Sequence, residues 1–356
     1  MSPPPRLLAV APSWLGDAVL ALPALALLQS AGVEVEVLAR QGTERVFADT
    51  VPAAQVHPVS STSRWRRLRS VLGLRRRGYA AAVVLPPSFS AALLAGASGA
   101  PVRLGARQSG RSWLLTHGVQ PVGRSVHLAE GYLRLARAAL QALGRGGAEA
   151  APPPASPWPR LQATSEERAA AATLLRSYAL PPEAAALVVA PGARYGAAKR
   201  WPAERFAAAA AQAATFLEAP VVLVGGREDA NATAAVHAAL PAAVDLAGRT
   251  PLPTLLGLLA GARGVLSNDS GVMHLAAALG APVVGIFGST NPEWTRPLGP
   301  RAVVVVHPVP CAPCYLRRCP IDFPCMHGIA PEHVVATLRR LLAAARPGVA
   351  EAISRV

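Results

Sequence analysis

The sequence predicts an α/β protein of two Rossmann-like α/β/α domains facing across a cleft. Three observations carry this. At 356 residues the chain is too long for one ordinary core. Short apolar runs bounded by turn residues alternate with helical patterns from end to end, and parallel strands need such crossover helices. Near the middle, residues 144–159 (GRGGAEAAPPPASPWP) are dense in glycine, alanine and proline, the composition of a linker. Placed at 151–163, that linker separates a domain at 1–150 from one at 164–330. A last helix within 331–356 is expected to pack back on the first domain.

The first half opens with a strand over 6–11, the turn PSWLGD and a helix over 18–29. Asp17 therefore stands at the mouth of the first strand-to-helix turn. Such a residue either caps the helix or presents a carboxylate at the sheet edge where open α/β folds bind ligands. No GxGxxG fingerprint is present there, which argues against an NAD enzyme. Strands follow at 33–38 and 80–85. Residues 63–77 carry Arg64, Arg66, Arg67, Arg69, Arg75, Arg76 and Arg77, interleaved with Trp65, Leu68, Val71, Leu72 and Leu74. This is the pattern of a basic amphipathic helix. Its commonest use is a solvated face; contact with anionic lipid or an anionic acceptor is the alternative. Arg103, Arg107 and Arg111 continue the basic character, and a long helix over 127–143 closes the domain.

In the second half Thr164 and Glu167 have the spacing of a capping box. Strands are expected at 187–190, 220–224 and 244–246, and helices at 202–217, 229–240 and 252–260. Three loops carry chemistry. Residues 191–202 (PGARYGAAKRWP) hold Arg194 and the only lysine of the chain, Lys199, against 34 arginines. A lone ammonium among guanidiniums suggests that a compact point charge is needed, unless it is a chance surface residue. At 225–229 a carboxylate, Glu228 or Asp229, is placed to accept the hydroxyls of a ribose or to cap the next helix. Residues 264–300 read as strand, polar turn (Asn268, Asp269, Ser270, Gly271), helix over 272–279 and strand over 282–287. That turn joins a strand end to a helix start, where free N–H groups and the helix dipole favour an anion such as phosphate. Simple capping by Asp269 or Ser270 is the plainer reading. Two of the three asparagines, Asn268 and Asn291, fall in this stretch, and rare polar residues in turns suggest a site.

The formal net charge is +15, which points to acidic partners: nucleic acid, an anionic membrane surface, or phosphorylated or carboxylated substrates. Nucleic-acid binding would need aromatic stacking residues among the basic ones or a known helix motif. Aromatics are 5% of the chain and no such motif appears, so no nucleic-acid partner is expected. The start, MSPPPRLLAV, lacks the pattern of a signal peptide. The longest apolar run, 18–28, is too short to span a bilayer, so a cytoplasmic protein is expected. Cys311, Cys314, Cys319 and Cys325 have the spacing C-x2-C-x4-C-x5-C. Four close thiols are the donor set of a structural zinc site, although only one CxxC knuckle is present. An iron–sulfur cluster is a less favoured reading of the same spacing, and the alternative to a metal is reduced thiols in a loop beside the cleft. A final helix is expected over 331–345.

PSWLGDAVLALPALALL, PGARYGAAKRWP, LAGRTPLPTLLGLLAGARGVLSNDSGVMHLAAALGAPVVGIFGST and CAPCYLRRCPIDFPCMHGIAPEHV resemble, in order and spacing, one known family. This is the ADP-heptose:lipopolysaccharide heptosyltransferases (glycosyltransferase family 9), nearest to the heptosyltransferase II branch. The resemblance runs over nearly the whole chain. It implies a GT-B fold, with the acceptor on the first domain and the donor on the second. It implies an inverting, metal-independent transfer of heptose from ADP-L-glycero-β-D-manno-heptose to the inner core of lipopolysaccharide, with no cofactor. Asp17 matches the catalytic base and Lys199 the lysine on the diphosphate. The Ser270 and Gly271 amides match the phosphate cradle, Asp269 the group facing the transferred sugar, and His274 a neighbour of the diphosphate. Glu228 is assigned the ribose, and Arg194 joins the donor set. Arg64, Arg67 and Arg107 would face the acceptor or an anionic membrane surface, at the inner leaflet of the inner membrane. The extreme Arg, Ala and Pro content departs from an ordinary member. A relative using another nucleotide sugar, a GT-B epimerase and a non-catalytic nucleotide-sugar-binding protein are the alternatives. The presence of both Asp17 and Lys199 speaks for catalysis.

Overall fold

Unbroken runs of β-branched and small apolar residues form strands whose two faces are both covered by helices, as parallel sheets require. AAVV (Ala81–Val84), LVVA (Leu187–Ala190), GVLSN (Gly264–Asn268) and VVGIF (Val283–Phe287) are buried at every position. The computed structural model describes residues 3–60, 63–146, 158–181, 185–344 and 353–355. Most of the proline-rich linker and Ala345 of the expected last helix lie outside them. The chain divides into two compact units, Met1–Arg160 and Leu161–Val356.

The first unit contains strands β1 (Arg6–Val10), β2 (Glu34–Arg40), β3 (Val56–Val59), β4 (Ala81–Val84), β5 (Val102–Ala106) and β6 (His117–Val119). Its helices are α1 (Leu15–Leu20), α2 (Leu22–Ser30), α3 (Arg64–Leu74), α4 (Phe89–Ala97) and α5 (Leu128–Ala142). The strands form one parallel sheet in the order β3-β2-β1-β4-β5-β6. The helix expected over 18–29 is two helices, α1 and α2, with Pro23 in the first turn of the second, where its missing N–H costs nothing. The basic helix ends at Leu74, and Arg75–Arg77 form a single 3-10 turn closed by Gly78 at φ 69°. β3, β5 and β6 were not expected. Proline, glycine or polar residues break their apolar runs (VHPV, VRLGA and HGV).

One buried carboxylate ties this unit together. Glu36 on β2 is fully buried and accepts hydrogen bonds from Tyr79 (2.6 Å) and Arg77 (3.0 Å), with His57 Nε2 at 2.6 Å. Burial pushes its pKa up, but these hydrogen bonds and the Arg77 charge outweigh that and hold it below the ordinary carboxylate range.

The second unit contains β7 (Leu187–Ala190), β8 (Val221–Leu223), β9 (Val244–Asp245), β10 (Gly264–Asn268), β11 (Val283–Phe287), β12 (Ala302–Val306) and β13 (Ile353–Arg355). Its helices are α6 (Ser165–Arg176), α7 (Ala203–Leu217), α8 (Ala230–Ala239), α9 (Leu252–Ala260), α10 (Gly271–Ala278), α11 (Pro292–Thr295), α12 (Pro324–His327) and α13 (Pro331–Ala343). The parallel sheet runs β13-β12-β11-β10-β7-β8-β9. The Thr164–Glu167 capping box opens α6 as its spacing predicts. α13 packs on α7, β11 and β12, and its Val334, Val335, Leu338 and Leu341 join the core around Phe206 and Leu266.

In each sheet the winding direction reverses beside one strand. β1 lies between β2 and β4, and β7 lies between β8 and β10. Open α/β sheets bind ligands at the carboxyl ends of strands at such a switch point. Asp17 follows β1, Lys199 follows β7 and Asp269 follows β10.

Candidate active site

At the carboxyl edge of the second sheet, loops distant in sequence meet around one ion pair. Lys199 Nζ donates to Asp269 Oδ2 at 2.5 Å, with side chains only 14% and 6% exposed. Thr290, after β11, donates to the same oxygen at 2.7 Å. The lysine loop is pinned from below. Asn268 is fully buried; its Oδ1 accepts from Trp201 N (3.1 Å) and its Nδ2 donates to Pro191 O (2.7 Å). Trp201 is itself buried, its ring edge-on to Phe206 and its Nε1 donating to Ile329 O. Of the two asparagines that suggested a site, Asn268 is thus the splint beneath it. Asn291 caps α11, accepting from Glu293 N.

The plain capping reading fails for the turn after β10. Ser270 is the N-cap residue of α10, yet its side chain makes no capping bond; its hydroxyl lies 3.0 Å from that of Ser267. The Asp269 carboxylate goes to Lys199 and Thr290 instead. The first-turn amides of α10 therefore receive no side-chain cap, as an anion cradle requires. His274 lies in the same helix, one turn on, and is buried.

In the loop after β8 the two carboxylates separate. Asp229 turns inward: its Oδ2 accepts from Gly226 N (3.1 Å), and Gly192 abuts it so closely that a Cβ there would sit 2.3 Å from the carboxyl carbon. Burial raises its pKa above the ordinary range. Glu228 is exposed and faces Arg194 at 3.8 Å. Glu228 is thus the exposed carboxylate of the two, and Asp229 is tucked into the loop.

In the first unit, Asp17 is the third residue of α1 and half-buried; the N-cap position belongs to Trp14. Its charge reaches Tyr132 of α5, whose phenol is pushed well up by burial first and by Asp17 second. Arg107 is exposed and Arg67 half-buried, while the Arg64 side chain lies outside the described residues. Arg111, grouped by sequence with the basic surface, is instead fully buried and donates to the carbonyls of Ala106, Pro86 and Ser88.

The zinc expectation finds no support. Among the described residues no three His, Cys, Asp or Glu side chains are gathered to hold a metal ion. Cys325 is buried on α12 with burial raising its thiol pKa, Cys311 is exposed, and the Cys319 thiol is hydrogen-bonded to Ile321 O. The neighbouring Cys311, Cys314 and Cys319 add to burial in raising the Cys325 pKa, so the four thiols lie near one another without forming a metal shell among the described residues. A cavity of about 370 Å³ lies behind the lysine loop, lined in part by Arg200, Trp201, Phe323 and His327. Neither Lys199 nor Asp269 lines it, so the polar constellation lies elsewhere.

Sequence reasoning missed Thr290 and Tyr195, whose ring carries Lys199 Nζ 5.1 Å from its centroid. Only their places after a strand would have pointed to them.

The family profile described as glycosyltransferase family 9 (heptosyltransferase) matches residues 65–323. This chain belongs to glycosyltransferase family 9. The family 9 chain is 30% identical to lipopolysaccharide heptosyltransferase 2 of Salmonella typhimurium, over 84% of its own length and 87% of that protein. The Escherichia coli K12 protein of the same name gives the same three figures. Among solved structures it is similar to Escherichia coli ADP-heptose lipopolysaccharide heptosyltransferase II, with a TM-score of 0.77 and 29% identity, covering 95% of this chain and 98% of that one. A family 9 glycosyltransferase from Veillonella parvula, at 20% identity, shares the fold with a TM-score of 0.76 over 96% of this chain and 99% of that one. The two parallel-sheet units are those of the GT-B fold.

Proposed function

We propose that this family 9 member is a heptosyltransferase II-like enzyme. It transfers heptose from an ADP-heptose donor to the inner core of lipopolysaccharide with inversion. The observation that carries this is the Lys199–Asp269 pair beside the uncapped start of α10. It joins a cation, an anion cradle and a carboxylate at one switch point, in a family whose 30%-identical relatives are named lipopolysaccharide heptosyltransferase 2.

Asp17, in the first unit, is the general base. It takes the proton of the acceptor hydroxyl as that oxygen attacks the anomeric carbon, and the bond from that carbon to the diphosphate oxygen breaks with its electron pair on the departing ADP. Lys199 and the Ser270 and Gly271 amides meet the charge that develops on the diphosphate. Asp269 faces the transferred sugar, Glu228 accepts the ribose hydroxyls, and His274 and Arg194 complete the donor set. The first unit is thus the acceptor unit and the second the donor unit. With cationic side chains at the phosphates, no metal is required. Arg67 and Arg107 face the acidic acceptor, and the exposed α3 arginines rest on the anionic cytoplasmic leaflet of the inner membrane. Among the described residues no helix is long and apolar enough to cross a membrane.

The test is heptose transfer in the presence of a chelator, with melting shifts by ADP, UDP and GDP alongside. ADP alone is expected to stabilise. Asp17→Ala should lower kcat by about two to four orders of magnitude with ADP binding kept. Lys199→Ala should lower kcat by about two to three orders and weaken ADP. Stabilisation by UDP or GDP in place of ADP rejects the donor, and full activity of Asp17→Ala rejects the base.

A further inference from the structure

The loop between β12 and α12 lies directly on the lysine loop. Ala198 N donates to Arg317 O at 3.1 Å, and the Tyr195 hydroxyl donates to Tyr315 O at 2.8 Å. Tyr315 N donates in turn to Ser289 O (2.8 Å), the neighbour of the Thr290 that holds Asp269. Gly196 faces Arg317 so closely that a Cβ would sit 2.4 Å from its carbonyl oxygen, so a side chain there would push the two loops apart. This clamp sets the Arg317 guanidinium 5.4 Å from the centroid of the Tyr195 ring, the same ring that carries Lys199 Nζ.

The charges around that ring do not balance for a diphosphate. Lys199 is bonded to Asp269, so the pair as a unit offers no net positive charge. Arg194 faces Glu228. Arg317 is exposed and belongs to none of the ion pairs found among the described residues of this unit. A sugar nucleoside diphosphate brings a negative charge on each phosphate toward the Asp269 carboxylate, while Lys199 and Arg194 each already face a carboxylate.

We propose that Arg317 is a second cation of the donor site and binds the donor diphosphate beside Lys199. The inference rests on the donor reading above. A guanidinium suits this position because its planar fork matches two phosphate oxygens at once. The Tyr195 face orients it before the ligand arrives, which lowers the ordering cost of binding.

The experiment compares affinities of the full chain for ADP and for adenosine, in the wild type, Arg317→Gln and Arg317→Lys. Arg317→Gln is expected to weaken ADP by about ten- to a hundredfold, as loss of a charge-assisted contact does, and to leave adenosine unchanged. Arg317→Lys is expected to recover part of the loss. The dependence of ADP affinity on salt should flatten in Arg317→Gln only. Unchanged ADP affinity in Arg317→Gln overturns the proposal. An equal loss for adenosine overturns it too, because the residue then acts only by shaping the loop. If the wild type binds ADP no better than adenosine, the donor reading fails first and the Arg317 assignment falls with it.

Discussion

Asn268 shows how one side chain is shared between stability and position. Its amide satisfies the backbone of two residues on the lysine loop, Trp201 and Pro191, from inside the core. Asn268→Ala leaves an N–H and a carbonyl without that partner, at about 1–3 kcal/mol per buried group. It also frees the segment that presents Lys199. The expected outcome is a lower melting temperature together with a fall in kcat, since a misplacement of about 1 Å is worth up to a hundredfold in rate. A variant that melts earlier but keeps wild-type kcat would show that the splint stabilises without positioning. Glu228 and Asp229 make the complementary point: adjacent in sequence, they differ because Gly192 lets Asp229 turn inward.

Among the elements, α3 is the one whose sequence outruns its packing. It buries Val71, while Trp65 is 80% exposed and Leu72 is 44% exposed. Not every arginine of the run is available to a partner, since Arg77 is bonded to Glu36. Arg66, Arg69, Arg75 and Arg76 are exposed. Replacing these four with Gln should weaken binding to anionic vesicles by up to about three orders of magnitude at low salt, at about 1 kcal/mol per basic residue. Cosedimentation equal to that of the wild type would reject the membrane-facing role. The strands β3, β5 and β6 escaped the sequence reading for a related reason. Strands at or next to a sheet edge need less apolar sequence than β1 or β7, and the pattern weakens with it.

For the chain taken together, a net charge of +15 means that lowering the pH removes scarce carboxylates from a molecule already self-repelling. Glu36 is where this matters most. Its folded pKa lies below its unfolded one, so its stabilisation is fully present above the unfolded value of about 4.3 and is lost as pH falls through the folded value. Glu36→Gln should cost about 3 kcal/mol near neutral pH. The gap in melting temperature between variant and wild type should narrow as the pH is lowered below about 4. A gap that is constant with pH would show that shape rather than charge makes the residue important.

Periodicity and turn chemistry are local, and they are enough for the two-unit α/β architecture, the Thr164 capping box and the loops that carry Asp17, Lys199 and Asp269. The resemblance of those loops to one family is equally local. The contacts between loops are not. Lys199 and Asp269 are 70 residues apart and meet because β10 is inserted beside β7 in the sheet. The same strand order makes Asn268 a splint, and the fold of the β12–α12 loop sets Arg317 over Tyr195. Residue types and their spacing restrict which chemistry a loop can hold; which side chains touch depends on strand order and on how closely the backbones approach, and those are properties of the folded chain.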